Sequence, residues 1–315
     1  MSSSRFSTRK ALAALSIVSA AAILLTGCGS SSGSASSKAD ASATAIPKVS
    51  LSNVTKDAAL AARLPESIKS SGTLTIGSDT TFPPAEFMAG ADGNTAVGYD
   101  VDLAKALGKK LGVKIKFESA SFDGILPALG SKYDLGISAF YITKERLQAV
   151  NMVSYTEGGS TLLVAKGNPK KLTLKNLCGH KIAVQIGSTQ QGDLKGFSKA
   201  CTDAGKKKIS ALPLKTNTDA VTRLKAGVVD AVLSGQSMLG YTARLSGGSL
   251  QTLKESYSQA PSGIAVAKDD TAFAQLVADT VNSLIKDGTY AKVMKAWGQN
   301  SSMIDTAQVN PKTVL

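Results

Sequence analysis

LTIGSDTTFPPAEF at residues 74–87, GYDVDLAKALGKKLGVKIKF at 98–117 and SFDGILPALGSKYDLGISAFYITKER at 121–146 decide how this chain folds. Residues 74–76 alternate as a short strand, and a polar, aromatic loop with Asp79, Phe82 and Pro83-Pro84 follows. Over 101–111, Leu103, Ala106, Leu107 and Leu111 recur on one face of a helix, which Gly112 ends. Residues 113–117 read as the next strand, 124–129 as a short helix with Pro127 near its first turn, and 133–137 as a third strand. Thr143 can cap a helix that begins at Lys144. This βαβαβα order predicts an α/β lobe with a mainly parallel sheet. Loops at the carboxyl ends of such strands, and an Arg just inside a helix start, suit a small anion.

A second α/β unit begins near Thr161. Strands are expected at 161–165, 181–185, 209–213 and 228–233. One helix follows Gly187-Ser188-Thr189-Gln190 and runs to about Cys201; another covers 218–226 through Ala220, Val221 and Leu224. Residues 264–267 read as a returning strand, and helices at 271–285 and 290–297 finish the fold. No internal repeat of solenoid period is present.

Residues 1–27 read as an export signal. Arg5, Arg9 and Lys10 precede an apolar run over 11–25, a length that suits a signal and is short for a membrane span. The run ends Leu25-Thr26-Gly27-Cys28, which looks like a bacterial lipobox, with cleavage before Cys28 and a lipid on its thiol. The other reading is an ordinary secretory signal followed by a chance Cys. Residues 28–64 are assigned to the anchored Cys and a tether, of which Gly29 to about Ile46 is Ser, Ala and Gly with almost nothing to bury. No later apolar run is long enough to span a bilayer. The mature protein is therefore expected outside the cytoplasm, held by lipid at a cell surface or in a periplasm.

The formal charge of +13 falls to +10 without residues 1–27, which hold those three cations and no acid. Lys206-Lys207-Lys208 is the one dense basic run, and it lacks interleaved aromatics, so nucleic acid is not the expected partner. A solvated face accounts for the charge. Cys178 and Cys201, 23 positions apart in an oxidising compartment, are expected to form a disulfide; the alternative is two buried thiols. His180 is the only His, which argues against a His-based metal site or a Ser-His-Asp triad. A Walker A pattern is absent, and no cofactor or metal is expected.

GYDVDLAKALGKKLGV, the TKER tetrapeptide, QIGSTQ and DGTYAKVMKAW, in that order, resemble the polar amino-acid group of bacterial extracellular solute-binding proteins, family 3. These are external receptors of ABC importers. The resemblance covers about Pro65 to Trp297 and implies two α/β lobes of the type II periplasmic-binding-protein kind, joined by two hinge crossings. Residues 65–159 would build the first lobe, 160–258 the second, and 259–300 would return to the first, leaving 301–315 as a tail. The crossings fall near 157–160 and 255–263, which hold Gly or small residues able to absorb rotation. The implied partners are a small carboxylate-bearing solute and the permease subunits, and the implied protein is a monomer.

The resemblance also implies a site. Arg146 would hold the α-carboxylate, because its planar fork can make two parallel bonds. Ser138 and Ala139 would line the same place. Tyr141 stands where the family usually has Thr or Ser, so the site is either smaller or capped by the phenol. Phe82 and Phe122 match two aromatic walls, or else are core residues. Asp79 matches a side-chain contact of cationic-amino-acid binders, or else caps its loop. Gln185, Ser188 and Thr189 belong to a strand–turn–helix start from the second lobe whose free N–H groups suit a carboxylate, and Ser188 or Thr189 can also cap it. Amino-acid binders of this family carry an Asp for the ligand ammonium where this chain has Gly235. Either Gln236 or Asp79 replaces it, or the ligand is not a standard α-amino acid. A dehydratase-like cleft enzyme, using Asp79, Glu86 or Glu157, and a ligand sensor are the alternatives to a transport receptor.

Overall fold

The computed structural model describes residues 46–89 and 93–315. The expected signal peptide, Cys28 and the Ser/Ala/Gly stretch up to residue 45 lie outside the described residues. No helix among the described residues is long and apolar enough to cross a membrane.

The strands in chain order are β1 (Thr73–Ser78), β2 (Thr81–Phe82), β3 (Glu86–Ala89), β4 (Thr95–Val97), β5 (Lys114–Ser119), β6 (Leu135–Tyr141), β7 (Val150–Ala165), β8 (Lys181–Gln185), β9 (Ser210–Leu214), β10 (Ala231–Gly235), β11 (Leu250–Thr252) and β12 (Tyr257–Ala267). The helices are α1 (Ala58–Ala62), α2 (Glu66–Ser71), α3 (Tyr99–Leu111), α4 (Phe122–Ile125), α5 (Lys144–Ala149), α6 (Thr189–Asp203), α7 (Asn217–Lys225), α8 (Gln236–Leu245), α9 (Thr271–Lys286) and α10 (Thr289–Ala296). The main sheet runs β5-β1-β6-β12-β7-β10-β8-β9, with β11 beside β7; β2-β3-β4 form a second small sheet. Pairing is parallel in the outer parts, β5-β1-β6 and β10-β8-β9. It is antiparallel where β12 and β7 meet each other and their neighbours.

That central pair makes the chain two-lobed. β7 is 16 residues long. Its first part pairs with β12 from Val150↔Ala267 onward, and its last part pairs with β10 from Ser160↔Gly235 to Val164↔Ala231. One uninterrupted strand thus leaves the first lobe and enters the second, and β12 returns beside it. The ladder between them shifts register at Tyr257/Ala260 and Ser262/Gly263, irregularities that bend and weaken a ribbon. Gly159 permits the close approach there: a Cβ would lie 2.3 Å from Gln259 Nε2 and 2.9 Å from the Tyr257 carbonyl oxygen. Only the ends of β7 and β12 are apolar enough to read as strands, because Glu157, Gly158, Gly159 and Ser160 interrupt the pattern.

Each lobe buries apolar side chains on both faces of its sheet. In the first, Leu103, Leu107 and Leu111 of α3 pack with Leu276, Val277 and Val293, while Ile125, Phe140 and Ile142 fill the other face. In the second, Leu194 and Cys201 of α6 pack on one face, and Val221, Leu224, Met238 and Leu239 of α7 and α8 on the other. Phe82 packs against the cores of both lobes. A disulfide joins Cys178 and Cys201, Cα atoms 5.5 Å apart.

Both chain ends differ from expectation. Packing begins before Pro65: Asp57 caps α1, and Val54, Ala61 and Leu64 are buried. Residues 301–315 are not a loose tail either. Ala307 is buried, Val309 bridges Val153, and the Ser154 N–H donates to the Gln308 carbonyl at 3.0 Å. The few apolar residues in these polar segments gain burial only from a surface built by the rest of the fold.

Candidate functional site

α5 begins where Thr143 Oγ1 accepts from the Arg146 N–H at 3.1 Å, and the cap aims the Arg146 side chain back toward the end of β6. Its guanidinium donates through Nη1 to the Tyr141 carbonyl at 2.8 Å and through Nη2 to the Gly187 carbonyl at 3.1 Å. It lies 5.5 Å and 5.4 Å from the Phe122 and Phe140 ring centroids. Burial lowers its pKa to about 10, so it is still a cation at neutral pH. Among the described residues no carboxylate lies within ion-pair distance of it. A desolvated cation held only by neutral carbonyls and ring faces is a ready anion site.

The second lobe faces it with the start of α6. Ser188 is the cap: its Oγ accepts from the Gln191 N–H at 3.2 Å and donates to the Gln185 carbonyl at 2.7 Å. Thr189 does no capping. Its Oγ1 is buried and has no hydrogen-bond partner. Gly187, with φ 76°, makes the turn, and a Cβ there would stand 2.9 Å from Asp123 Cβ of the opposite lobe. The lobes therefore touch at this point.

Between them lies an inner cavity of about 20 Å³, lined by Phe82, Phe122, Ser138, Ala139, Tyr141, Arg146, Gln185, Ser188, Thr189 and Gly235. Ten of the twelve ligand-contact residues expected from sequence thus meet, from segments as distant as β2 and β10. Gln190 and Ser234 also line it and were not foreseen. They follow directly after Thr189 and before Gly235, so neighbouring positions were the available signal.

Asp79 and Gln236 are elsewhere. Asp79 is 3% exposed and bridges the lobes. It accepts from Thr81 Oγ1 at 2.7 Å within its own loop, and from Gln185 Nε2 across the cleft. Burial raises its pKa. Gln185 Oε1 in turn accepts from Asn217 Nδ2 at 2.6 Å, and Asn217 Oδ1 accepts from Ser234 Oγ at 2.9 Å. The loop-capping role of Asp79 is present, together with an interlobe link. Gln236 opens α8 and faces an adjoining outer chamber instead. The Tyr141 side chain lines both the inner cavity and the outer chamber, with its hydroxyl donating to the Gly159 carbonyl at 2.8 Å, and burial raises its pKa to about 12.

Behind Ser138 and Ala139 stands a buried carboxyl pair. Ser138 Oγ donates to Glu86 Oε1 at 2.7 Å and accepts from the Asp79 N–H at 3.0 Å. Asp100 Oδ2 accepts from the Tyr155 hydroxyl at 2.9 Å and from the Ala139 N–H at 3.3 Å. Ala139 has φ 47°, a left-handed conformation rare for a residue with a Cβ, and this bond holds it. Burial raises both acids, Asp100 to about 6 and Glu86 well above its ordinary range, with the Asp100 charge adding to Glu86. One proton between the two carboxyls accounts for their closeness.

Residues 74–300 match the model of bacterial extracellular solute-binding proteins, family 3. Among curated relatives, the arginine-binding protein ArgT of Corynebacterium glutamicum is 28% identical over 251 residues, covering 79% of this chain and 82% of that protein. An ancestral arginine-binding protein solved with arginine is 38% identical with a TM-score of 0.66, over 72% of this chain and 98% of that one. An ancestral amino acid-binding protein described as a precursor of cyclohexadienyl dehydratase, AncCDT-1, is 32% identical with a TM-score of 0.67, over 74% and 98%. With two lobes joined through paired strands, a charged and hydroxylic cavity between them, and a family match across most of its length, the chain belongs to the bacterial extracellular solute-binding proteins, family 3.

Proposed function

We propose that this protein is the solute receptor of an ABC importer, taking a small carboxylate-bearing solute of the amino-acid class between its lobes and delivering it to a membrane permease. The observation that carries the reading is the pairing, across one cavity, of a half-buried guanidinium without a carboxylate partner and the unpartnered Thr189 hydroxyl. In this reading Arg146 grips the carboxylate in a fork, displacing the Gly187 carbonyl. Thr189 donates from the second lobe, where the first turn of α6 adds its positive end. Phe82 and Phe122 flank the solute.

The inner space of about 20 Å³ suits roughly one water molecule. An amino acid is admitted only when the lobes part, and β7 and β12 are the hinge. Bonds to both lobes then favour closure, because only the closed state makes them all. We take 65–159 with 259–300 as the first lobe, 160–258 as the second, Cys28 as the lipid anchor on the outer side of a cell membrane, and the working unit as a monomer. The chain acts without turnover. A dehydratase would need an acid in the inner cavity; Asp79 and Glu86 are both committed to buried bonds, and Glu157 lines the outer chamber rather than the inner cavity.

The test is calorimetry and thermal shift on the mature protein with L-amino acids, betaines and small dicarboxylates. Binding of at least one class, abolished by Arg146→Ala, is expected. Equal binding by parent and variant would overturn the reading, and product formation from a bound acid would favour the enzyme.

A further inference from the structure

The excess positive charge lies in one lobe. Residues 160–258 hold 15 Lys and Arg against 5 Asp and Glu, a net charge of +10. Residues 65–159 and 259–315 together hold 14 against 16, a net charge of −2. Solubility does not require such a division, since a surface of mixed charge serves it as well. Nor does the inner cavity draw on it, because the cation that lines that cavity, Arg146, belongs to the first lobe.

The fold gathers much of this charge at the end of the second lobe away from the cleft. The segment between β7 and β8 carries Lys170, Lys171 and Lys175, and the turn between α6 and β9 carries Lys206, Lys207 and Lys208. Leu172 and Leu177 of the first segment are buried in one cluster with Cys201 and Ile209, which flank the second. The Cys178–Cys201 disulfide ties the two segments together, and a Cβ on Gly179 would lie 3.4 Å from Lys207 Cβ. All six lysines are exposed, and among the described residues none has an ion pair. Three acids of this lobe are already engaged: Asp203 pairs with Lys199 at 2.7 Å, Asp230 Oδ2 accepts from the Lys181 N–H at 2.9 Å, and Glu255 Oε2 accepts from the Leu174 N–H at 3.1 Å. α6 runs 15 residues, about 20 Å, from Thr189 at the inner cavity to Asp203, just before Lys206. The patch is therefore clear of the solute site.

The chemistry of the patch selects its partner. Each cation in it is a Lys, a point charge on a flexible stem; these segments hold no Arg, which would fork onto a single phosphate or stack on a base. The exposed large apolar residues among the described ones are Ile46, Met88, Val228 and Leu245, and none lies in these segments, so nothing here is built to insert. Such a group suits diffuse attraction to a plane of many negative charges. We infer that this end of the second lobe docks by charge, without insertion, on the phosphate headgroups of an anionic lipid bilayer. The docking goes beyond the receptor reading and is independent of the solute. It holds the second lobe on the membrane and leaves the first lobe, with its net charge of −2, free to swing.

Co-sedimentation of the mature protein, made without lipid, tests this with vesicles of phosphatidylglycerol in phosphatidylcholine against vesicles of phosphatidylcholine alone. Binding at least about tenfold stronger to the anionic vesicles is expected at about 0.05 M salt, and its loss at about 0.5 M. Lys206→Gln, Lys207→Gln and Lys208→Gln combined are expected to weaken it about a hundredfold, at roughly fivefold per lysine near a charged surface. Lys109→Gln, Lys114→Gln and Lys286→Gln combined remove the same charge from exposed positions of the first lobe and are expected to leave it nearly unchanged. Both triple variants should melt close to the parent, because every substituted position is exposed. Equal binding to both kinds of vesicle, equal loss from both triple variants, or binding to soluble polyphosphate with none to anionic vesicles would overturn the inference. Solute calorimetry on the same variants keeps the two readings apart, since the receptor reading stands or falls on Arg146 whatever the vesicles show.

Discussion

At the residue scale, the proposed function separates groups that would hold a ligand from groups that hold those groups. In that proposal Arg146 is of the first kind. Arg146→Ala is expected to weaken binding by at least about a hundredfold, since two charge-assisted bonds of about 1.5–3 kcal/mol each are lost. Arg146→Lys should recover only part, because a point charge cannot form the parallel fork. Titration calorimetry on both variants checks this, and the unliganded melting temperature should not fall, as a desolvated charge has been removed. Glu86 and Asp100 belong to the second kind. Their raised pKa values mean that the folded protein keeps protons the unfolded chain has already released. Their contribution to stability therefore falls as pH rises from about 4 through about 6 and beyond. Glu86→Gln keeps a neutral partner for Ser138 and is expected to raise the melting temperature at about pH 8 and flatten its decline from about pH 5. An unchanged slope would place the proton elsewhere. The residues that line the inner cavity were legible because the motifs of the family resemblance mark them. This pair was not, because Glu86 and Asp100 meet only when β3 packs beside the start of α3.

At the element scale, the hinge and the disulfide act on different properties. Gly159→Ala would press a methyl group against the Tyr257 carbonyl across the β7–β12 ladder. It is expected to cost about 1–3 kcal/mol, read by urea denaturation, and to alter the rate of ligand closure, read by stopped-flow fluorescence of Trp297. No change in either would mean that the ribbon shifts freely. Cys178→Ala with Cys201→Ala opens a closed loop and is expected to cost about 2–4 kcal/mol. Affinity should hold, because Cys201 lies near the far end of α6 from Thr189. Most elements were readable from periodicity and caps, including α3, α9 and the strands on either side of the cleft. α8 was not, because Gly240 and a Ser-rich start mask the short apolar pair Met238 and Leu239. The small β2-β3-β4 sheet was too short to leave a pattern, with strands of two to four residues.

At the scale of the whole molecule, closure is the property on which the proposed function turns, and residues 54–64 and 301–315 pack onto the first lobe. Removing 304–315 would expose the surface of β7 covered by Ala307 and Val309; it is expected to lower the melting temperature by several degrees, about 1–3 kcal/mol for this much burial, with ligand affinity retained. Differential scanning calorimetry of the shortened chain decides whether those residues are structural. The order of blocks from Leu74 to Trp297 was sufficient to name two α/β lobes, an Arg at the cavity between them and a disulfide, because caps, periodicity and motif spacing are local and survive in a linear string. Direction was not local. Whether the Tyr141 hydroxyl reaches Gly159, and whether Asp79 reaches Gln185, 106 positions away, depended on how one lobe lies against the other. Those contacts cross the cleft, and only packing of the two assembled lobes brings their side chains within bonding distance.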